Sequence, residues 1–190
     1  MKIEKCFVIA LFGFILFFIF SCENENNEII DENIPTWITV DNNIFGNEWL
    51  NAVYDIAWGN GKFVAVGYGL NSHIAYSSNG ITWTAVNDSI FDQWNGIRCI
   101  TWGDGKFIVG AGNKMAYSYD GISWNNINNT TFDDNINGIL TLAWGNGKFI
   151  AGGSKNFGIQ NNTQLYGAHL AYSSDGITWD AVIDNTFSDL

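Results

Sequence analysis

An eight-residue motif that occurs three times in this chain restricts the possible fold more than any other feature. The copies read YSSNGITW (76–83), YSYDGISW (117–124) and YSSDGITW (172–179). A second motif, AWGNGKF or TWGDGKF, precedes each copy, and its tryptophans Trp58, Trp102 and Trp144 are 44 and 42 residues apart. Self-similarity at such a period is the signature of a repeat architecture.

Each repeat divides into four short strands, a to d, separated by turn signals. In the first repeat these are VYDIAW, KFVAVG, HIAYS and ITWTAV. The Asn-Gly or Asp-Gly pair between strands a and b predicts a type I′ hairpin turn. Strands b and c are apolar or small at nearly every position, which indicates that both of their faces are covered. Four-stranded antiparallel units covered on both faces are typical of propeller blades.

The sequence therefore predicts an all-β, propeller-type arc of about three four-stranded antiparallel blades. The boundaries are a repeat region over 36–190 with blades at about 52–86, 96–127 and 138–183. The segment TWITV (36–40) matches strand d alone, as an orphan strand. Because propellers close with about four to eight blades, we expect an incomplete ring.

An open arc leaves one blade face bare at each end. Each face measures on the order of 300 Å², so two faces represent up to about 15 kcal/mol of unrealised burial. We expect Val64, Val66, Ile74, Ile150 and Leu170 to line them. Two alternatives follow: the chain is a fragment of a longer propeller, slightly favoured by its ending IDNTFSDL, or copies self-associate to close the ring.

The eight-residue motif resembles the Asp-box (BNR repeat) of sialidase-type β-propellers, Ser-x-Asp-x-Gly-x-Thr-Trp. It is one residue shorter between Asp and Trp, and Asn79 replaces the Asp in the first copy. The resemblance implies architecture and not chemistry. We expect the Ser and Asp or Asn side chains to cap the turn, the Gly to adopt positive φ, and the Trp to pack into the blade. The residues in these structural roles are Ser77, Asn79, Gly80, Trp83, Ser118, Asp120, Gly121, Trp124, Ser173, Asp175, Gly176 and Trp179.

The N-terminus predicts an export signal. Lys2 and Lys5 precede a fifteen-residue apolar run, 6–20, which is shorter than the roughly 20 residues of a membrane-spanning helix. The following IFSC resembles a bacterial lipobox, which implies a signal-peptide helix within 1–21 and diacylated Cys22. Residues 22–35 form an acidic, Asn-rich tether. We expect a lipid-anchored, extracytoplasmic envelope protein; the alternative is an ordinary cleaved signal with Cys22 incidental.

The remaining cysteine and the variable loops suggest where chemistry could occur. Cys99 lies in an apolar strand, where we expect an inert, packed thiol. The b–c and d–a connections vary between repeats and share one face, so we expect ligands there. The candidate ligand-face residues are Trp49, Tyr68, Trp94, Phe157 and Tyr166, with 154–169 as the longest loop. These aromatics suit a glycan or a protein ligand, or they merely pack the loops.

Several function classes find no support in the sequence. The formal net charge of -11 disfavours nucleic acid. The sialidase resemblance would require three arginines, but Arg98 is the only one, and Asp55 has no facing carboxylate for glycoside hydrolysis. His73 and His169 start equivalent c strands, and Asp133 and Asp134 lack EF-hand spacing. We therefore expect no catalytic residue, cofactor or metal.

The expected function is non-catalytic binding or scaffolding by a membrane-anchored propeller with a glycan or protein ligand. The alternatives are a glycosidase-like enzyme remnant and a periplasmic assembly factor that binds a protein partner.

Overall fold

The computed structural model describes the backbone of part of the chain: residues 44–46, 51–69, 72–87, 90, 96–128, 131–132, 138–160 and 163–182. Side chains are described for all of these except 155–160 and 163–166. The chain divides into two units, Met1–Thr39 and Val40–Leu190, and the described residues all belong to the second. The predicted signal peptide, Cys22, the tether and the orphan strand 36–40 lie outside them.

The described residues form three four-stranded antiparallel sheets, each with its strands in sequence order. Blade 1 contains β1 (Ala52–Gly59), β2 (Lys62–Tyr68), β3 (Ile74–Ser77) and β4 (Thr84–Ala85); blade 2 contains β5 (Cys99–Gly103), β6 (Lys106–Ala111), β7 (Lys114–Ser118) and β8 (Asn125–Ile127); blade 3 contains β9 (Ile139–Gly145), β10 (Lys148–Gln160), β11 (Thr163–Ser173) and β12 (Asp180–Ala181). This confirms the predicted all-β arc of three blades. No helix long and apolar enough to cross a membrane occurs among the described residues.

The turns between the first two strands of each blade have the predicted geometry. Asn60 and Gly61 have φ of 46° and 71°, and the corresponding values are 45° and 73° at Asp104 and Gly105. In blade 3, Asn146 and Gly147 have 48° and 70°. Two consecutive positive φ angles are what a type I′ turn requires, and Asn, Asp and Gly tolerate them best.

The fourth strands are shorter than the sequence predicts, and each starts after the Trp of the motif. In blade 1, β4 covers only Thr84–Ala85. The N–H groups of Ile81 and Thr82 bond to the Asn79 side chain, at 2.9 and 2.8 Å. They are therefore not available to a strand ladder, and the β-branched letters Ile-Thr belong to the turn.

The predicted 154–169 loop is instead a hairpin that extends blade 3. Strands β10 and β11 pair from Phe149↔Ser173 out to Gln160↔Thr163, with a register shift between Asn156 and Gly158. Blade 2 makes the same connection in two residues, because Ala111 pairs with Lys114. The insertion therefore satisfies its backbone groups by continuing the ladder beyond the blade.

The blades stack through two apolar layers, with their first strands side by side: β1 lies by β5, and β5 by β9. The layer between blades 1 and 2 includes Val64, Ile100 and Phe107. The layer between blades 2 and 3 includes Ile108 and Phe149. Backbone bonds cross both junctions, from Ile97 N–H to Gly67 O (2.9 Å) and from Ile139 N–H to Gly112 O (2.7 Å).

The predicted composition of the bare end faces is wrong at three positions. Val64, Val66 and Ile74 are fully buried, because the strand alternation points them at blade 2. The side chains that blade 1 leaves open are Ile56 and Trp58, which are 51% and 53% exposed. At the other end of the arc is the outer face of blade 3, called the last face, as the outer face of blade 1 is called the first face. Ile150 and Leu170 on the last face are half-buried, as expected where no described blade packs against them.

Candidate functional site

The turns formed by the three copies of the eight-residue motif (76–83, 117–124 and 172–179) are called the motif turns. All three have the same pattern of hydrogen bonds. In blade 3, Ser173 Oγ accepts from Gly176 N–H (2.7 Å) and donates to Asp175 Oδ1 (2.9 Å). Asp175 Oδ1 also accepts from the N–H groups of Ile177 and Thr178, at 2.8 and 2.7 Å. The same bonds recur around Ser77 and Ser118.

The glycine and tryptophan of the motif complete each turn. Gly80, Gly121 and Gly176 have φ of 74°, 74° and 75°. Trp83 and Trp179 donate Nε1–H to the carbonyl of the glycine three residues earlier, at 3.1 and 3.3 Å. Trp124 is buried in the layer between blades 1 and 2. These residues hold the turn, and their groups are engaged with the chain itself.

The hydrogen bonds of the motif turns also lower the pKa values of the two motif carboxyl groups, Asp120 and Asp175. Bonds from Thr178 N–H and Ile177 N–H lower the pKa of Asp175 from 3.8 to about 2, against a smaller opposing effect of burial. At Asp120, burial is the largest single influence and raises the pKa. The bonds from Ser123, Ile122 and Ser118, with the charge of Lys62, outweigh it, so the pKa lies below 3.8. Neither carboxyl is tuned to donate or accept a proton near neutral pH.

Asp55 lies at the junction between blades 1 and 2, whereas the Cys99 side chain is buried in the layer between blades 2 and 3. Asp55 Oδ2 accepts from Ile100 N–H of blade 2 at 2.9 Å, and Oδ1 accepts from Ile56 N–H at 2.8 Å. Cys99 is 2% exposed, and burial, with the nearby Asp55 charge, raises the pKa of its thiol to about 12. The carboxylate therefore joins two blades, and the thiol is held in its unreactive neutral form.

The inner strands carry a feature that sequence analysis missed: a β-bulge at the same position in blades 1 and 3, with a related backbone contact in blade 2. In β1 the register shifts between Val53 and Asp55, so Tyr54 has no opposite residue. In β9 the pairs Gly153↔Ile139 and Gly152↔Thr141 leave out Leu140 in the same way.

In blade 2, a related backbone contact lies just before β5. Arg98 N–H donates to Gly110 O (2.9 Å), although Gly110 is the register partner of Cys99. Bulges turn a side chain away from the regular alternation and are frequent beside functional sites.

Tyr54, Arg98 and Leu140 occupy this equivalent position in the three blades, four residues before Trp58, Trp102 and Trp144, and together are called the bulge row. Tyr54 is 43% exposed and Leu140 50%, and Arg98 is also exposed. Arg98 Cζ lies 4.9 Å from the centre of the Tyr54 ring, a cation–π contact that restrains both side chains. The row lies on adjacent inner strands, at the end where the b–c hairpins leave the blades.

Among the predicted ligand-face residues, the structure describes the side chain of Tyr68 alone. Tyr68 is half-buried, its ring lies tilted against that of His73 with centroids 6.0 Å apart, and it contacts Gly96. These contacts fit the alternative in which the aromatic packs the loops. Phe157 and Tyr166 belong to β10 and β11, but their side chains, and all of Trp49 and Trp94, lie outside the described residues.

The two histidines make local contacts in the part of the chain that the structure describes. His169 Nε2 is 2.9 Å from Thr131 Oγ1, and its ring meets Phe132 edge-on at 4.8 Å. Within the described part of the chain, no three His, Cys, Asp or Glu side chains form a group that could hold a metal ion. Asp133 and Asp134 lie outside that part.

No family model and no curated protein matches this chain. Solved structures similar to it include a Bombyx mori GH32 beta-fructofuranosidase in complex with sucrose, at 12% identity and a TM-score of 0.40, over 68% of this chain and 35% of that one. Another is YCF48 bound to D1 peptide, at 9% identity and a TM-score of 0.40, over 73% of this chain and 55% of that one. The chain thus spans 35% and 55% of the lengths of these structures. The fold assignment rests on this chain's own sheets and hydrogen bonds.

Proposed function

We propose that this protein is a lipid-anchored, extracytoplasmic binding protein whose propeller domain holds a protein ligand at the bulge row and performs no catalysis. The single observation that carries this proposal is the contrast between the two ends of the blades. The a–b and motif turns repeat almost without change. The bulge row, at one equivalent position per blade, holds Tyr, Arg and Leu.

This contrast distinguishes the turns that stabilise the fold from the residues that are available to bind a ligand. Repeated turns serve the same structural role in every blade, whereas a non-repeating exposed residue on a rigid strand is free to match a ligand. Val53, 50% exposed, adjoins the row. Exposed Tyr and Arg with neighbouring aliphatic side chains are the composition of protein interfaces, in which Tyr and Arg are enriched as hot spots.

The chemistry of the described residues supports binding over turnover. The carboxyl groups of Asp120 and Asp175 are held ionised, the thiol of Cys99 is held neutral, and Asp55 is bonded to two backbone N–H groups. Arg98 is a cation fixed against Tyr54 in a chain of net charge -11. It suits an acidic or carbonyl-bearing segment of a partner.

The test is affinity capture from the cell envelope, with Tyr54→Ala/Arg98→Ala as the binding variant and Tyr119→Ala as the matched control. Tyr119 is also an exposed tyrosine, at 55%, but lies in a motif turn. We expect one partner to be captured by the wild type and the control and to fall at least tenfold with the double variant. Equal capture by all three contradicts the role of the bulge row.

Two parallel assays test the other function classes. Binding on a glycan array that the double variant abolishes would replace the protein ligand with a glycan at the same site. Turnover of fluorogenic glycosides by the wild type would contradict the non-catalytic proposal and favour an enzyme remnant.

A further inference from the structure

The two end faces of the three-blade arc carry matching halves of the contact that joins its blades. At each internal junction the Trp of one blade packs on the Gly of the blade before it. A Cβ added at Gly59 would overlap the indole of Trp102, and one added at Gly103 would overlap Trp144. The glycine is required because the ring occupies the space of its side chain.

At the ends of the arc, each partner of this contact is open. No described atom lies within 4 Å of a Cβ built on Gly145, the equivalent glycine of blade 3. Trp58, the equivalent tryptophan of blade 1, is 53% exposed. Ile56 beside it is 51% exposed, whereas its equivalents Ile100 and Leu142 are 4% and 9% exposed.

A second contact shows the same pattern. The Cβ position at Gly121 of the blade 2 motif lies 2.7 Å from Val64 of blade 1, and that at Gly176 lies 2.9 Å from Ile108 of blade 2. Among the described residues, a Cβ at Gly80, the equivalent in blade 1, meets only Phe63 of its own blade, at 3.5 Å. Its expected partner by equivalence is Ile150, which is half-buried where Val64 and Ile108 are fully buried.

A third contact is polar. Asn60 Nδ2 donates to Tyr119 O across the first junction, at 3.0 Å. Asn146 occupies the same place on blade 3, in a motif, AWGNGKF, that is identical in blades 1 and 3. The carbonyl equivalent to Tyr119 O on blade 1 belongs to Ser78. The last face of the arc therefore carries the groups that would contact a blade like blade 1.

We propose that a second copy of this chain covers that face. The last face of each copy, with Gly145, Asn146 and Ile150, receives the first face of the other, with Trp58, Ser78 and Gly80. Such a head-to-tail contact is heterologous, and two copies satisfy both ends only if the ring closes. Two arcs of three blades give six, within the range of about four to eight in which propellers close, whereas three arcs exceed it.

The occupant is a second copy because three contacts, two apolar and one hydrogen-bonded, match this chain's own opposite face. An unrelated partner would need to present a Trp, a Gly-containing turn and a carbonyl in the same arrangement. Contiguous apolar faces of this kind are rarely left open in a soluble domain. The assembly is independent of the ligand proposed for the bulge row.

The test is sedimentation of the full chain in detergent over a hundredfold concentration range. We expect a species of twice the chain mass that dissociates on dilution. Gly145→Leu should shift the midpoint of association at least tenfold to higher concentration, because the new side chain fills the space needed by Trp58. Gly145 has open space and no positive φ, so the chain itself should fold unchanged, as circular dichroism would show.

Ile177→Ser is the matched control. Ile177 is also an exposed apolar residue, at 38%, but its motif turn already lies against blade 2, so association should be unaffected. A single-chain mass at all concentrations, or heterogeneous aggregates cured only by further repeats after Leu190, would overturn the proposal. A dimer that Gly145→Leu leaves intact would also overturn it.

Discussion

Each motif turn depends on one side chain that accepts two backbone N–H groups, and the chain holds that position in two chemical forms. Asn79 Oδ1 bonds to the N–H groups of Ile81 and Thr82 at 2.9 and 2.8 Å. Asp175 Oδ1 makes the equivalent bonds at 2.8 and 2.7 Å. A neutral amide therefore supports the same geometry as a carboxylate, and the position needs an acceptor oxygen at Cγ more than a charge.

This equivalence predicts how the turn responds to acid. The pKa of Asp175 in the fold is about 2, below its usual 3.8. Its ionised form therefore stabilises the fold fully above pH 3.8, and this contribution is lost as the pH falls towards 2. Asp175→Asn should change the free energy of unfolding at pH 7 by less than about 0.5 kcal/mol, and Asp175→Ala should lower it by about 1 kcal/mol.

Urea unfolding at pH 7, 4 and 2.5 measures both effects. Between pH 4 and 2.5 the Asn variant should lose less stability than the wild type, because its acceptor does not titrate. An Asn variant as acid-sensitive as the wild type would show that Asp175 is not the titrating group.

The strands show which features the sequence could predict. Asn60-Gly61 and its two equivalents predict the a–b turns because few residues tolerate two positive φ angles, and the apolar b and c strands predict the stacking. The short β4 could not be foreseen, because Ile81 and Thr82 resemble strand residues until the Asn79 side chain is seen to bond their N–H groups.

The candidate site was missed for a related reason. A bulge is a property of register between two strands, and VYDIAW reads as regular alternation whether Tyr54 is paired or not. Likewise, the polar, glycine-containing segment 154–169 shows no alternation that would indicate a hairpin. Its ladder becomes visible only through the pairs from Gly153↔His169 outward.

The extension of β10 and β11 should be dispensable for the fold. We expect replacement of 155–167 by Asn-Gly to join Ser154 and Ala168, which pair in the ladder, through a type I′ turn. The Ser154 N–H bond to Gly138 O, at 3.0 Å, is retained. The free energy of unfolding should fall by less than about 1 kcal/mol, the net value of a typical hydrogen bond.

Thermal and urea unfolding of the shortened chain measure this change, with envelope capture as a second readout. Loss of the partner with unchanged stability would assign the hairpin to ligand binding. Loss of cooperative unfolding would contradict its peripheral place in blade 3.

For the whole molecule, we predict that Cys22 is the lipid attachment site. The wild-type chain should enter the detergent phase on Triton X-114 partitioning and incorporate labelled palmitate, because an acyl chain contributes about 0.8 kcal/mol of membrane affinity per buried CH₂. Cys22→Ser should move to the aqueous phase without label, whereas the matched variant Ser21→Ala should remain anchored. Aqueous partitioning of the wild type would contradict the anchor.

Three equivalent blades built from the same register of strands should give the same interstrand contacts in each blade. The most direct measurement is the set of interstrand nuclear Overhauser effects in the isotope-labelled protein. We expect backbone contacts between Val64 and Tyr76, Ile108 and Tyr117, and Ile150 and Tyr172, one pair for each blade. Contacts typical of helix in these segments, or pairing shifted by one residue in any blade, would contradict it.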